Sequence, residues 1–253
     1  MSGGGRTPDL VRRLRAATTA RLDLGLSGAG LPTRPLLDFQ MAHARARDAV
    51  HRPLPEADLL GLLPPDTLSV RSQASDRATF LKRPDLGRRL EPTSREALLA
   101  RRGEGFDLAI VIADGLSATA VLRHGAPVAL DLIAHLGGWR IAPLVIAHES
   151  RVALGDEIAE CLGAQLCVIL IGERPGLSAD DSLGAYITWA PRVGRLDSER
   201  NCLSNIRPPH GLGYDEAVRK LAWLLTEAHH RQVTGVSLKD TGAEEALRAV
   251  TGD

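Results

Sequence analysis

The chain has 253 residues, of which 44% are hydrophobic and 25% charged, an ordinary composition for a globular protein. Its 31 basic residues equal its 31 acidic residues, so the net charge gives no reason to expect nucleic acid or an anionic membrane as a partner. The balance is uneven along the chain. Residues 1–105 carry 18 basic and 12 acidic residues, and the remainder carries 13 and 19. This asymmetry suits an acidic partner, although ordinary solvated helix faces produce the same pattern.

The cysteines and the N-terminus exclude several classes of protein. Cys161, Cys167 and Cys202 form neither a CxxC pair nor a zinc-binding spacing, so we expect reduced thiols in a cytoplasmic protein. The N-terminus lacks the apolar segment of a secretory signal, and no apolar run approaches the ~20 residues that cross a bilayer. No GxGxxG follows a strand, and no catalytic triad or metal-binding cluster is evident. The residues alone predict a ligand-binding protein without a visible reaction centre.

The front of the chain is predicted to be helical, with interruptions by proline and glycine. Helical spacing of apolar residues predicts helices over 11–24 and 36–50, the second with an apolar stripe along one face. A third helix is predicted over 93–102, because Thr93 and Glu96 have the spacing of a capping box. We therefore predict a helical N-terminal region over 1–105.

From residue 106 onward, short apolar runs alternate with helical segments. The runs predict strands at 106–115, 140–150, 165–176 and 185–191, and helical spacing is found at 127–136, 152–162 and 215–230. This alternation is typical of βαβ units with parallel strands. We predict an α/β fold, with a Rossmann-like, mainly parallel sheet covered by helices, in a domain over 106–253.

Polar residues follow three of the predicted strands. Asp114 follows the first, His148 ends the second, and Glu173 and Arg174 follow the third. Ligands of open parallel sheets bind at the carboxyl ends of the strands, so these turns are candidate ligand contacts. Asp114 is equally explained as the N-cap of the following helix. His148 is equally explained as a residue at the edge of the sheet whose hydrogen bonds are made within the chain. Glu173 and Arg174 are stronger candidates, because the Pro-Gly pair after them rigidifies the turn and neither charge is needed for capping.

Four stretches resemble a known family. They are LKRPDLGRRL (81–90), VIADGLSATAV (111–121), ILIGERPGLS (169–178) and RNCLSNIRPPHG (200–211). Their order and spacing are similar to those of the small (light) subunit of ethanolamine ammonia-lyase, and the resemblance extends over about residues 18–235.

The resemblance implies a subunit of an enzyme that uses adenosylcobalamin to convert ethanolamine into acetaldehyde and ammonia. It implies a hetero-oligomer in which a large TIM-barrel subunit holds the substrate and the radical chemistry. The small subunit is then Rossmann-like and contributes to cobalamin binding at the subunit interface. Family cobalamin contacts carry over onto Val152, Glu173 and Cys202, the last in a loop. No catalytic residue is implied in this chain, and enclosure in a bacterial microcompartment is left open.

Two details bear on how the cofactor would be held. The pattern D-x-H-x-x-G, which presents a protein histidine to cobalt, is absent, because Ile133 stands where the aspartate before His135 should be. The resemblance implies a cobalamin that keeps its own base on cobalt, so no protein metal ligand is expected. Arg151 and Arg174 are assigned either to the phosphate of the nucleotide loop or to ion pairs across the subunit interface.

Two other functions stay open on the residues. A free-standing enzyme that acts on a nucleotide could use Asp114 and Glu173 as working carboxylates. An assembly protein of a bacterial compartment would need no site. Of these three functions, only that of a lyase subunit would need a large barrel partner and adenosylcobalamin for activity.

Overall fold

The computed structural model describes residues 8–18, 21–22, 24–103 and 105–239. Its helices are α1 (Pro8–Ala17), α2 (Thr33–His51), α3 (Glu56–Leu60), α4 (Arg77–Lys82), α5 (Pro92–Leu99), α6 (Ala118–Ala120), α7 (Ala126–His135), α8 (Val152–Leu162) and α9 (Tyr214–Arg231). Its strands are β1 (Leu68–Arg71), β2 (Leu108–Ala113), β3 (Val145–His148), β4 (Leu166–Gly172), β5 (Leu183–Trp189) and β6 (Arg200–Ile206). A π-helical turn, Val121–Gly125, joins α6 to α7. The described helices include none that is long and apolar enough to span a membrane.

All six strands belong to one sheet, in the order β1-β3-β2-β4-β5-β6. The pairs β1/β3, β2/β3 and β2/β4 are parallel, and β4/β5 and β5/β6 are antiparallel. Only β5 therefore runs against the others in this sheet, and the remaining five strands end at a common side, which we call the carboxyl edge. The predicted α/β class and the mostly parallel sheet are confirmed.

The two faces of the sheet are covered differently. Along β4, Cys167, Ile169 and Ile171 belong to the core on the α8 side, while Val168 and Leu170 belong to the core on the α7 and α9 side. Strands β2 and β4 are buried along their whole length, which explains why their sequences are continuous apolar runs.

At the β5 and β6 end of the sheet, the described residues cover the two faces unequally. On the face opposite α9, Thr188 and Arg200 are buried and Arg200 pairs with Asp156 of α8, but the rest of that face is more open. Helix α9 packs against both strands, and Leu183, Ala185 and Ile187 point into the core beneath it. On the opposite face Tyr186 is half-buried, and Cys202 and Ser204 are exposed. We call this surface, formed by Tyr186, Cys202 and Ser204, the open face.

Several predicted elements differ from the observed ones. Helix α5 begins at Pro92 with Glu91 at the N-cap, so the capping box predicted from Thr93 is wrong. Proline is favoured at the first helical position, and it starts the helix one residue early. The segment that carries Cys202 is strand β6 and not a loop. The helix predicted over 152–162 is confirmed as α8, and Gly163 ends it with a φ of 80°.

The front of the chain contributes more than helices. Strand β1 lies within the first 105 residues and pairs with β3 at the end of the sheet. Helix α2 is slightly longer than predicted, but its apolar residues are mostly exposed, among them Leu37 and Met41. The first helix ends at Ala17. Residues 19, 20 and 23 of the helix predicted over 11–24 lie outside the described residues.

Candidate functional site

Glu173 is held at the end of the open face by three hydrogen bonds. Strand β4 ends at Gly172, and the Glu173 carboxylate then accepts from the hydroxyls of Ser182 and Ser204 and from the backbone N–H of Asn205. Its side chain lies over Gly184 on β5, where an added Cβ would come within 2.9 Å of Glu173 Oε1. The carboxylate is therefore fixed in place before any ligand arrives.

Cys202 lies beside Glu173 and faces Tyr186. The Cα atoms of Tyr186 and Cys202 are register partners across β5 and β6, and the two side chains share a hydrogen bond. Cys202 is exposed as a residue, but partial burial of its thiol raises the pKa. The charge of Glu173 adds to this change, and the hydrogen bond to Tyr186 opposes it. Cys202 is therefore a neutral thiol at neutral pH, which suits a packing or hydrogen-bonding contact and not a nucleophile.

Val152 borders the same side of the sheet from another element. It is the first residue of α8, and it packs against the core cluster that contains Leu154 and Ile169. Tyr186 packs against this same cluster from β5. The three residues carried over from the family resemblance thus come from a helix, a turn and a strand, and all border one side of the sheet.

Asp114 has a different environment from the one that the sequence suggested. It is buried, and it accepts hydrogen bonds from the backbone N–H groups of Glu149 and Ser150, each at 3.0 Å, and from Arg77 at 3.1 Å. Burial raises the pKa of Asp114, and the Arg77 charge and the two N–H groups oppose that change. The helix after β2 is capped by the Ser117 hydroxyl. Asp114 is therefore neither the helix cap nor an exposed ligand contact, and it ties two turns together.

His148 is likewise engaged within the chain. It is buried at the end of β3, with its Nε2 3.2 Å from Glu56 and 3.3 Å from the hydroxyl of Ser69. Burial lowers the pKa of His148, while the charge of Glu56 opposes this change. These contacts fit a histidine at the edge of the sheet whose hydrogen bonds are made within the chain, and they fit a ligand-binding residue less well.

Tyr186, Ser182 and Ser204 complete the surroundings of Glu173 and Cys202. Ser182 and Tyr186 belong to none of the four family stretches, and Ser204 belongs to one of them but was not singled out from the sequence. The sequence of β6 carried no clear signal, because Asn201 and Asn205 flank Leu203 on the opposite face, and the exposure of Cys202 and Ser204 is evident only in the structure. In the described part of the chain, no cluster of three or more His, Cys, Asp or Glu residues could hold a metal ion.

Comparison with known proteins identifies the family. A family model described as Ethanolamine ammonia-lyase light chain (EutC) matches residues 8–239. The chain is 54% identical over 240 residues to the ethanolamine ammonia-lyase small subunit of Azotobacter vinelandii, covering 90% of this chain and 87% of that protein. The same-named subunit of Pseudomonas aeruginosa strain PAO1 is 52% identical over 243 residues, covering 92% and 88%. That of Xanthomonas campestris pv. campestris strain B100 is 51% identical over 252 residues, covering 96% and 91%.

The chain belongs to the ethanolamine ammonia-lyase light chain family. The resemblance seen in the four sequence stretches is confirmed, and the chain is the small subunit of an ammonia-lyase. In this small subunit, Glu173 and Cys202 are linked through β6, because Ser204 donates to the Glu173 carboxylate two residues after Cys202. Both lie inside the span that the family model matches.

Proposed function

We propose that this small subunit binds adenosylcobalamin on its open face, at the interface with the large subunit of ethanolamine ammonia-lyase. The enzyme would convert ethanolamine to acetaldehyde and ammonia, with the substrate held by the large subunit. The observation that supports the proposal is that Glu173 and Cys202 lie together on a partly open side of the sheet, the side on which Val152 packs. We further infer that the chain from residue 106 onward forms most of a Rossmann-like cofactor domain, preceded by a mainly helical N-terminal region that contributes β1 to its sheet.

The residues on the open face and beside it fit the chemistry of a corrin. The rim of a corrin carries amide side chains, and the Glu173 carboxylate is an acceptor for their N–H groups. Val152 and the ring of Tyr186 offer apolar contacts to the macrocycle, and the neutral Cys202 thiol adds a weak donor. When bound, the cofactor supplies radical chemistry through homolysis of its cobalt–carbon bond. The residues of this chain bind it, orient it and keep water away.

A binding experiment on the reconstituted two-subunit complex tests the proposal. Glu173→Gln keeps the size of the side chain and removes the negative charge. We expect adenosylcobalamin to bind roughly 10- to 100-fold more weakly, because a hydrogen bond to a charged group contributes about 1.5–3 kcal/mol. The dissociation constant is measured by absorbance titration.

Glu216→Gln is the matched control. Glu216 is half-exposed on α9, the helix on the other face of the sheet, so its substitution should leave the dissociation constant unchanged. Thermal unfolding of both variants checks that the fold is intact. An unchanged affinity in folded Glu173→Gln would remove Glu173 from the site. The isolated small subunit is expected to show no turnover without the large subunit, and nucleotide turnover by the small subunit alone would support the free-standing enzyme instead.

A further inference from the structure

A cavity at the carboxyl edge has a largely apolar lining that also includes three arginines. It has a volume of about 540 Å³ and lies between α2 and the turn after β4. His43 and Arg47 line it from α2, Arg151 and Arg174 line it from the turns after β3 and β4, and Leu81 and Leu116 form apolar walls. We call this cavity the arginine pocket. Within the described ranges, none of its three arginines forms an ion pair with a carboxylate.

Arg151 is positioned by packing and by its backbone, and no carboxylate among the described residues forms an ion pair with it. Its backbone N–H donates to the Gly87 carbonyl oxygen at 2.8 Å, and its guanidinium carbon lies 4.4 Å from the centroid of the Phe80 ring. Gly87 makes room for this arrangement, because a Cβ there would lie 2.9 Å from the Phe80 ring and 3.1 Å from Arg151 Cγ. The Nε atom of Arg151 is buried without a hydrogen-bond partner among the described residues.

The electrostatics of the pocket favour an anion from outside the chain. Burial lowers the pKa of Arg151, and the positive charges of Arg77 and Arg174 lower it further. A guanidinium stays charged at neutral pH, so the fold retains this unfavourable charge. Arg151 is half-buried. A partly buried charge without a partner is unfavourable, and a bound anion would reduce that penalty.

We propose that the arginine pocket binds the phosphate of the nucleotide loop of the cofactor, an inference that rests on the proposed function. Arg151 immediately precedes Val152, and Arg174 immediately follows Glu173, so each of these pocket arginines is a sequence neighbour of a residue that we propose as a cofactor contact. A phosphodiester carries one negative charge and accepts paired hydrogen bonds from a guanidinium. The volume lies within the range of small-molecule sites, about 300–1,000 Å³, and the leucine walls suit the organic groups on either side of a phosphate.

The test compares three corrinoids on the reconstituted two-subunit complex by equilibrium binding. Adenosylcobalamin carries the phosphate and the base, adenosylcobinamide phosphate carries the phosphate without the base, and adenosylcobinamide carries neither. We expect Arg151→Gln and Arg174→Gln each to weaken binding of the two phosphate-bearing corrinoids roughly 10- to 100-fold. Binding of adenosylcobinamide should stay unchanged. Arg174 is exposed, so its variant provides the test if Arg151→Gln does not fold.

Arg192→Gln is the control, because this exposed arginine follows β5 at the opposite edge of the sheet and should not affect any of the three ligands. Equal losses for all three corrinoids, or no loss for any, would overturn the inference. Weaker association of the subunits with unchanged corrinoid affinity would also overturn it, since the pocket would then hold a carboxylate of the large subunit. If the wild-type complex binds no corrinoid, the proposed function itself is wrong. If it binds corrinoids but the arginine variants show no loss that depends on the phosphate, only the inference about the pocket is wrong.

Discussion

Two arginines pack against the ring of Phe80 and differ in what neutralises them. The guanidinium carbon of Arg77 lies 5.0 Å from the ring centroid, and that of Arg151 lies 4.4 Å from it. Arg77 pairs with Asp114 at 3.1 Å and donates to the carbonyl oxygens of Val50 and Gly115, each at 2.8 Å. Arg151 forms no ion pair with any carboxylate in the described part of the chain.

The difference separates a structural charge from one that is available to a ligand. Burying a charge is unfavourable unless an opposite charge or several hydrogen bonds offset it. Arg77 meets this condition through its ion pair with Asp114, although its Nη2 is also buried without a hydrogen-bond partner among the described residues. Together with Asp114 it fixes the turns after β2 and β3. Arg151 does not meet it inside the described chain, which is why we place the missing anion in a ligand. Three predictions test this contrast, from the largest expected effect to the smallest.

Removing the partner of Arg77 should destabilise the fold strongly. Asp114→Ala leaves the Arg77 guanidinium unpaired and deprives the N–H groups of Glu149 and Ser150 of their acceptor. We expect the free energy of unfolding to fall by about 3–5 kcal/mol, the usual effect of breaking a buried pair. Urea unfolding of the small subunit, followed by circular dichroism, measures the change.

The control for this prediction is an exposed pair. Asp85 pairs with Arg83 at 2.7 Å, and both side chains are more than half exposed, so Asp85→Ala should have no measurable effect on unfolding. The double variant Asp114→Ala/Arg77→Met should recover part of the loss, because it removes the unpaired charge as well. A loss in Asp114→Ala no larger than that of the control would mean that Arg77 is not held by this pair.

Removing the unpaired arginine should change stability little. Arg151→Met keeps an apolar stem against Phe80 and removes repulsion from Arg77 and Arg174, while it loses the interaction of the cation with the ring. These effects oppose each other, and each exposed or partly exposed cation–ring contact contributes about 0.5–1 kcal/mol, so we expect a net change below about 1 kcal/mol. The same urea unfolding measures it. A loss as large as that of Asp114→Ala would show that Arg151 is structural and would weaken the case for a ligand.

The sheet core and the position of Glu173 could be predicted from the sequence. The apolar runs that became β2, β3 and β4 are continuous because both faces of these strands are covered, and this pattern is local. The end of β4 at Gly172 placed Glu173 at the carboxyl edge as predicted. The family stretches added Val152 and Cys202, which no local pattern distinguishes from ordinary packing residues.

The rest depends on contacts between distant parts of the chain. Strand β1 is four residues long and forms because it pairs with β3, with Leu68 opposite Val145. Such pairing across a long sequence separation is not encoded in a local pattern. The direction of β5 and the strand conformation around Cys202 likewise depend on pairing with neighbours. The two arginines on Phe80 could not be distinguished from sequence, since their partners lie on other elements.

The smallest predicted effect is a pH dependence of stability. It arises from Glu149, whose pKa is influenced by the charges of Asp114 and Arg77. Glu149 lies 3.3 Å from Arg71, and burial, followed by the charge of Asp114, raises its pKa above the ordinary value of 4.5. A carboxyl whose pKa is higher in the folded state binds its proton more tightly when folded. Its contribution therefore favours folding at low pH and is lost as the pH rises through the folded-state pKa.

Glu149→Gln cannot titrate, so the variant should gain stability relative to the wild type as the pH rises from about 4 to 8. Urea unfolding of both proteins across this range gives the difference at each pH. Arg151→Met provides the comparison, because an arginine keeps its charge throughout the range and its difference from the wild type should vary less. If the Glu149→Gln difference is flat, the buried carboxylates are already fully balanced by Arg71 and Arg77. The stability contributed by the region around Arg77, Asp114 and Glu149 would then vary with pH no more than that of the arginine pocket, and the two regions would differ only in geometry.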